Sequence, residues 1–170
     1  MGNCITFGED SLKMSNGLTS VFIDVLTLAG SRLAQTVDEK QLIVWLAEKD
    51  QSKVGIGTVG FDIRKMPWNT ERFEENKRFM LKVIEAAENR TDWEKLDYQP
   101  NEEHIFRVLK EFAELITQMM AKDIDEKAVR EWLDGAEGDD PVLCGFPKCP
   151  EHGVLKTLWG CLFCDAEEEK

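Results

Sequence analysis

Apolar residues recur at three-and-four spacing through much of the chain, the signature of helices that bury one face. After Ser15 and Asn16, the residues Leu18, Val21, Phe22, Val25, Leu26, Ala29 and Leu33 share one stripe, predicting a first helix that ends near Ala34. Thr36 with Glu39 three residues later has the spacing of a capping box, and Leu42, Ile43, Trp45 and Leu46 follow on a strongly apolar second helix that closes by Asp50. Between Val54 and Ile63 the pattern changes to alternation broken by glycines, which reads as a loop or a short hairpin.

Beyond Pro67, Asn69 or Thr70 can cap a third helix with Phe73, Met80, Val83, Ile84 and Ala87 on its apolar stripe. Trp93, Leu96 and Tyr98 lie in a loop closed by Pro100. Asn101 can then cap a fourth helix bearing Ile105, Phe106, Leu109, Phe112, Ile116 and Met119. A short last helix is predicted from Glu126 to Leu133, with Asp125 as its cap and Gly135 as a left-handed stop. The pattern therefore predicts a mainly α protein: a helical domain over residues 1–134, a linker over 135–143, and a tail over 144–170.

Composition narrows the setting. A chain of 170 residues can bury a full core, and its 42% hydrophobic and 32% charged residues are those of a globular protein. No run approaches the roughly 18–20 apolar residues of a membrane span. Nor does the N-terminus carry a basic and then apolar leader, so the expected location is the cytoplasm, where clustered cysteines point to metal and not to disulfides. The net charge of −12 makes nucleic acid and anionic membranes poor partners. Most of that charge, −10, falls on residues 1–140.

Cys149-Pro-Glu-His152-Gly153 and Gly160-Cys161-Leu-Phe-Cys164 each offer two ligands two residues apart. That spacing lets one tight turn present both side chains to the same ion, and three thiolates with one imidazole suit tetrahedral Zn2+. Cys144 is an alternative fourth ligand in place of His152, although its spacing to Cys149 is longer. The tail resembles the zinc-ribbon or zinc-knuckle class, with His152 standing where the first pair usually has its second cysteine. The resemblance implies a structural ion with all four positions filled, and no reaction. In stretches such as Met14-Ser-Asn-Gly-Leu18 and Val54-Gly-Ile-Gly-Thr-Val-Gly-Phe61, the whole chain resembles small cytosolic proteins of Bacillus-like bacteria, a likeness that implies no particular activity.

Three further patterns are weaker. Gly55-Ile-Gly57-Thr-Val-Gly60 matches the dinucleotide fingerprint in letters, yet a helix precedes it and Pro67 follows, so the strand and phosphate-binding helix are missing from the pattern. Gly2 and Cys4 fit an acylation pattern, which would make the protein a lipid-anchored adaptor; the plainer expectation is a short strand from Cys4 to Phe7. An enzyme would need His104 and the helix carboxylates Glu71, Glu74 and Glu75 in one pocket. With no nucleophile and base pair in the pattern, the expected function is non-enzymatic protein binding, in the form of an immunity or inhibitor protein that masks a basic toxin. Residues 123–140 carry eight acidic side chains against two basic ones, and Glu131, Trp132, Asp134, Asp139 and Asp140 are the expected partner-binding residues.

Overall fold

The computed structural model describes residues 3–164. Its five helices are α1 (Asn16–Leu33), α2 (Val37–Ala47), α3 (Phe73–Glu88), α4 (Glu102–Gln118) and α5 (Glu126–Asp134). The caps explain most of the boundaries. The Ser15 side chain accepts from Leu18 N at the start of α1, Thr36 and Glu39 close a reciprocal capping box on α2, and Asn101 and Asp125 cap α4 and α5. Two expected boundary devices differ. Helix α3 begins at Phe73, and Asn69 instead accepts from Glu71 N and Arg72 N in a turn before it. Gly135 follows α5 in right-handed geometry, with φ at −78°, so the stop there is not a left-handed one.

Helix α1 is the axis of the molecule. From Phe22 to Ser31 every residue is buried, because α2, α3, α4 and a small sheet pack around it. It packs tightly on α2, where a Cβ on Gly30 would collide with the Ile43 side chain. Phe112 of α4 meets Phe22 edge-on at 5.0 Å, and Phe61 stands edge-on between Phe112 and Trp45, an arrangement that matches ring edges to ring faces.

The expectation of a helical bundle needs correction. Strands β1 (Asn3–Phe7) and β2 (Asp10–Met14) form an antiparallel hairpin, and β5 (Phe61–Asp62) pairs parallel to β1. Gly8, with φ at 63°, turns the hairpin. Ile5, Leu12, Met14 and Phe61 point from this sheet into the same core as the helices, which is why so short a sheet persists. The glycine-rich stretch forms a second hairpin, β3 (Asp50–Gln51) with β4 (Gly57–Thr58). Its last glycine has a steric reason: a Cβ on Gly60 would run into the Cys4 carbonyl of β1. Gly60 leads directly into β5 and a single 3-10 turn, so the amide cluster of a nucleotide-binding helix is not formed.

Residues beyond α5 also pack on the helices. Phe146 is buried in the main core, and Pro141 is buried. Lys148 Nζ donates to the Ser31 carbonyl at 2.9 Å, and Leu155 N donates to Ser31 Oγ at 2.9 Å. No helix among the described residues is long and apolar enough to cross a membrane.

Candidate metal centre

Two turns build the centre. In the first, Lys148 and Leu155 form an isolated antiparallel bridge, and Cys149 N donates to Val154 O at 2.9 Å. The intervening residues must reverse tightly: Gly153 adopts φ of 70°, and its N–H donates to Cys149 O at 2.7 Å. In the second, Thr157 bridges to Gly160, whose φ of 96° swings the chain into Cys161-Leu-Phe-Cys164. Each turn also aims a backbone N–H at its first sulfur, His152 N to Cys149 Sγ and Phe163 N to Cys161 Sγ, both at 3.4 Å. Such bonds favour the thiolate over the thiol.

Together the turns bring Cys149, His152, Cys161 and Cys164 into one cluster whose ligand atoms all lie within 4.8 Å of one another. Cys149 Sγ is 3.6 Å from Cys164 Sγ, too far for a disulfide, and His152 Nδ1 lies 3.6, 3.6 and 3.4 Å from the sulfurs of Cys149, Cys161 and Cys164. A tetrahedral ion with ligand bonds of about 2.0–2.3 Å would hold its donors about 3.5–3.8 Å apart. The cluster therefore has the dimensions of a four-coordinate metal site. Because Nδ1 faces all three sulfurs, the imidazole would bind through Nδ1 and carry its proton on Nε2. Cys144 is exposed and outside the cluster, so the structure selects His152 over it.

The electrostatics point the same way. Burial opposes ionisation of Cys149, yet its bonds with His152 and its neighbours bring the thiol down to about 6. Burial raises Cys161, and burial together with the adjacent Cys149 sulfur pushes Cys164 up to about 12. Three sulfurs this close tolerate only one uncompensated negative charge. A divalent cation removes that conflict, since coordinated thiols are deprotonated.

The centre is seated on the bundle by polar and apolar contacts. Leu28 of α1 packs under Cys149, Val154 and Cys161, with Trp93, Leu96 and Phe163 at the margin. Lys95 Nζ donates to the His152 carbonyl at 2.9 Å and lies 3.8 Å from Asp92, which itself takes both arms of Arg32 from α1. A ligand backbone is thus tied to the central helix through three charged residues, none of them signalled by the spacing of the sequence. Glu48 at the end of α2 supplies another tie, accepting from Leu158 N at 2.9 Å and from Trp132 Nε1 at 3.3 Å.

The expected partner-binding residues differ in exposure and in their contacts. Trp132 is half-buried with its indole turned to Glu48, Glu131 lies 3.9 Å from Lys127, and Asp140 accepts from Val142 N within a turn. Asp139 is exposed. Asp134 lines a groove of about 500 Å³ with Trp68, Glu71, Ile124, Val129 and Arg130. Of the groups that an enzyme would need, His104, Glu71 and Glu75 border different grooves. His104 borders a groove with Ser15, Leu18 and Val21, Glu71 borders the one beside α5, and Glu75 borders a third with Arg78 and Phe79. Cys4 is exposed on β1, while Gly2 lies outside the described residues. Comparison with protein families, with curated proteins and with solved structures finds no match to this chain.

Proposed function

We propose that Cys149, His152, Cys161 and Cys164 hold one structural zinc ion, and that the protein works in the cytoplasm by binding a basic protein partner. The spacing of the four donor atoms carries the first part. Three thiolates and one imidazole are a soft, tetrahedral donor set, which zinc accepts without angular preference. With four protein ligands the ion has no free position for water or substrate, so its contribution is folding energy.

Support for the partner comes from the groove beside α5. Trp68, Ile124, Val129 and Leu133 make its apolar floor, and Glu71, Glu126 and Asp134 outnumber Arg130 on its rim. None of the residues of α5 is fully buried, so the apolar side of this helix keeps surface to offer. An apolar side chain flanked by lysines or arginines would satisfy both floor and rim, and the charge of −12 would speed the encounter. An immunity or inhibitor protein that masks a toxin's cationic surface is the specific form of this reading.

The test has two arms. Elemental analysis of protein made with ample zinc should return about one zinc per chain, lost when Cys161→Ser and Cys164→Ser are combined. A partner captured from the native host should bind more slowly as salt rises, and replacing Glu131, Asp134, Asp139 and Asp140 by Lys should weaken it without changing zinc content. Unchanged affinity in that variant, or an acidic partner, would defeat the binding reading; absence of zinc would defeat the metal reading.

A further inference from the structure

The centre is not closed on every side. A groove of about 440 Å³ reaches three of its four ligands, Cys149, Cys161 and Cys164, and is walled by Trp159, Lys156 and Glu151. Within it Cys164 is half-exposed, whereas Cys149 and Cys161 are buried. Cys149 Sγ stands 3.6 Å behind Cys164 Sγ. A small oxidant can therefore reach one sulfur from outside and find a second sulfur in near contact with the first.

We infer that Cys164 and Cys149 form a peroxide-sensitive pair whose oxidation to a disulfide dismantles the metal centre. This rests on the zinc reading above. In the first step the Cys164 sulfur attacks one oxygen of hydrogen peroxide, the O–O bond breaks, and hydroxide leaves while a sulfenic acid forms. In the second step Cys149 Sγ attacks the Cys164 sulfur, the S–S bond forms and the S–O bond breaks, releasing a second hydroxide. Two thiolates have then given two electrons to one peroxide, which becomes two hydroxides. Cys161 and His152 remain as ligands, too few to hold a structural ion.

The consequence reaches the bundle, because the same turns cover Leu28 and Trp93. Losing the centre loosens the two turns and uncovers Leu28 and Trp93, while Lys148 and Leu155 still hold the segment to Ser31. The other two cysteines, Cys4 and Cys144, are exposed and lie outside the cluster, so they serve as internal controls.

The experiment uses the full-length zinc-loaded protein, millimolar hydrogen peroxide and a colorimetric zinc chelator. One zinc should be released for each disulfide formed, peptide mapping should find Cys149 joined to Cys164, and a thiol reductant with zinc should restore the starting state. The double variant Cys4→Ser with Cys144→Ser should release zinc as the parent does. Zinc retained while Cys4 and Cys144 oxidise, a disulfide joining any other pair, or loss of the response in that double variant would overturn the inference. Protein that holds no zinc before peroxide is added would overturn the metal reading and this inference with it. Zinc present beforehand but never released would sink the inference alone.

Discussion

Asp24 is a buried carboxyl far from the candidate metal site in sequence. It lies on the buried helix α1, is only 8% exposed, and accepts a 2.6 Å hydrogen bond from the Tyr98 hydroxyl. Burial pushes its carboxyl up to about 7; the Tyr98 bond opposes the rise, and the carboxylates of Asp50 and Asp97 add to it. The unfolded chain ionises Asp near pH 4, so between about pH 4 and 7 the folded state binds more protons than the unfolded one. Stability therefore falls as pH rises through this window and levels off above it. Asp24→Asn keeps an acceptor for Tyr98 and removes the penalty. Chemical denaturation should show the variant gaining up to about 4 kcal/mol over the parent at pH 8 and little at pH 4. Parallel profiles for the two proteins would mean that Asp24 ionises as an ordinary carboxylate.

Among the elements, α5 and the second cysteine turn share an anchor that neither contains. Glu48, at the C-terminal end of α2, accepts from Trp132 of α5 and from Leu158 N just before Cys161. Burial raises its carboxyl, and the Leu158 amide opposes that rise. The expected effect of Glu48→Ala is local: amide exchange at Leu158 and through α5 should quicken about tenfold, the loss of one or two hydrogen bonds to a charged group, while α3 and α4 stay protected. Quickening spread evenly over all five helices would show that Glu48 supports the core as a whole. The caps of these elements could be read from residue type because a cap is a contact within four residues of chain. Glu48 could not, since its partners lie 84 and 110 residues away.

For the whole molecule, the tail draws on two apolar clusters. The main cluster spans the sheet and α1 to α4 and takes in Phe146 and Leu155 from the tail, whereas Cys149, Cys161 and Val154 gather in a second cluster around Leu28. Metal removal should open the second and leave the first. On adding a strong chelator, tryptophan emission should shift to the red as Trp93 and Trp159 gain water, thermal stability should drop, and most helical circular dichroism should remain. Loss of the helical signal in step with metal loss would show that the bundle depends on the tail.

The sequence by itself determined what depends on short stretches of chain. The stripes of α1, α2, α3 and α4, four of the five helix caps, and the ligand quartet were all legible, because a helix face repeats every three to four residues and one turn brings residues three apart onto one ion. Tertiary structure decided the rest. Residues of β2 read as nothing in particular until β1 and the core gave Leu12 and Met14 a face to cover, and Gly60 is explained only by the Cys4 carbonyl beside it. The exclusion of Cys144, which the sequence kept as an alternative to His152, is likewise a matter of where two turns meet in space. The chain of Arg32, Asp92 and Lys95 that holds the His152 carbonyl joins residues up to 60 apart, and the bond that seats Leu155 on Ser31 spans 124. Local spacing carries no trace of such contacts; they form where segments far apart in the chain pack against α1 and the end of α2.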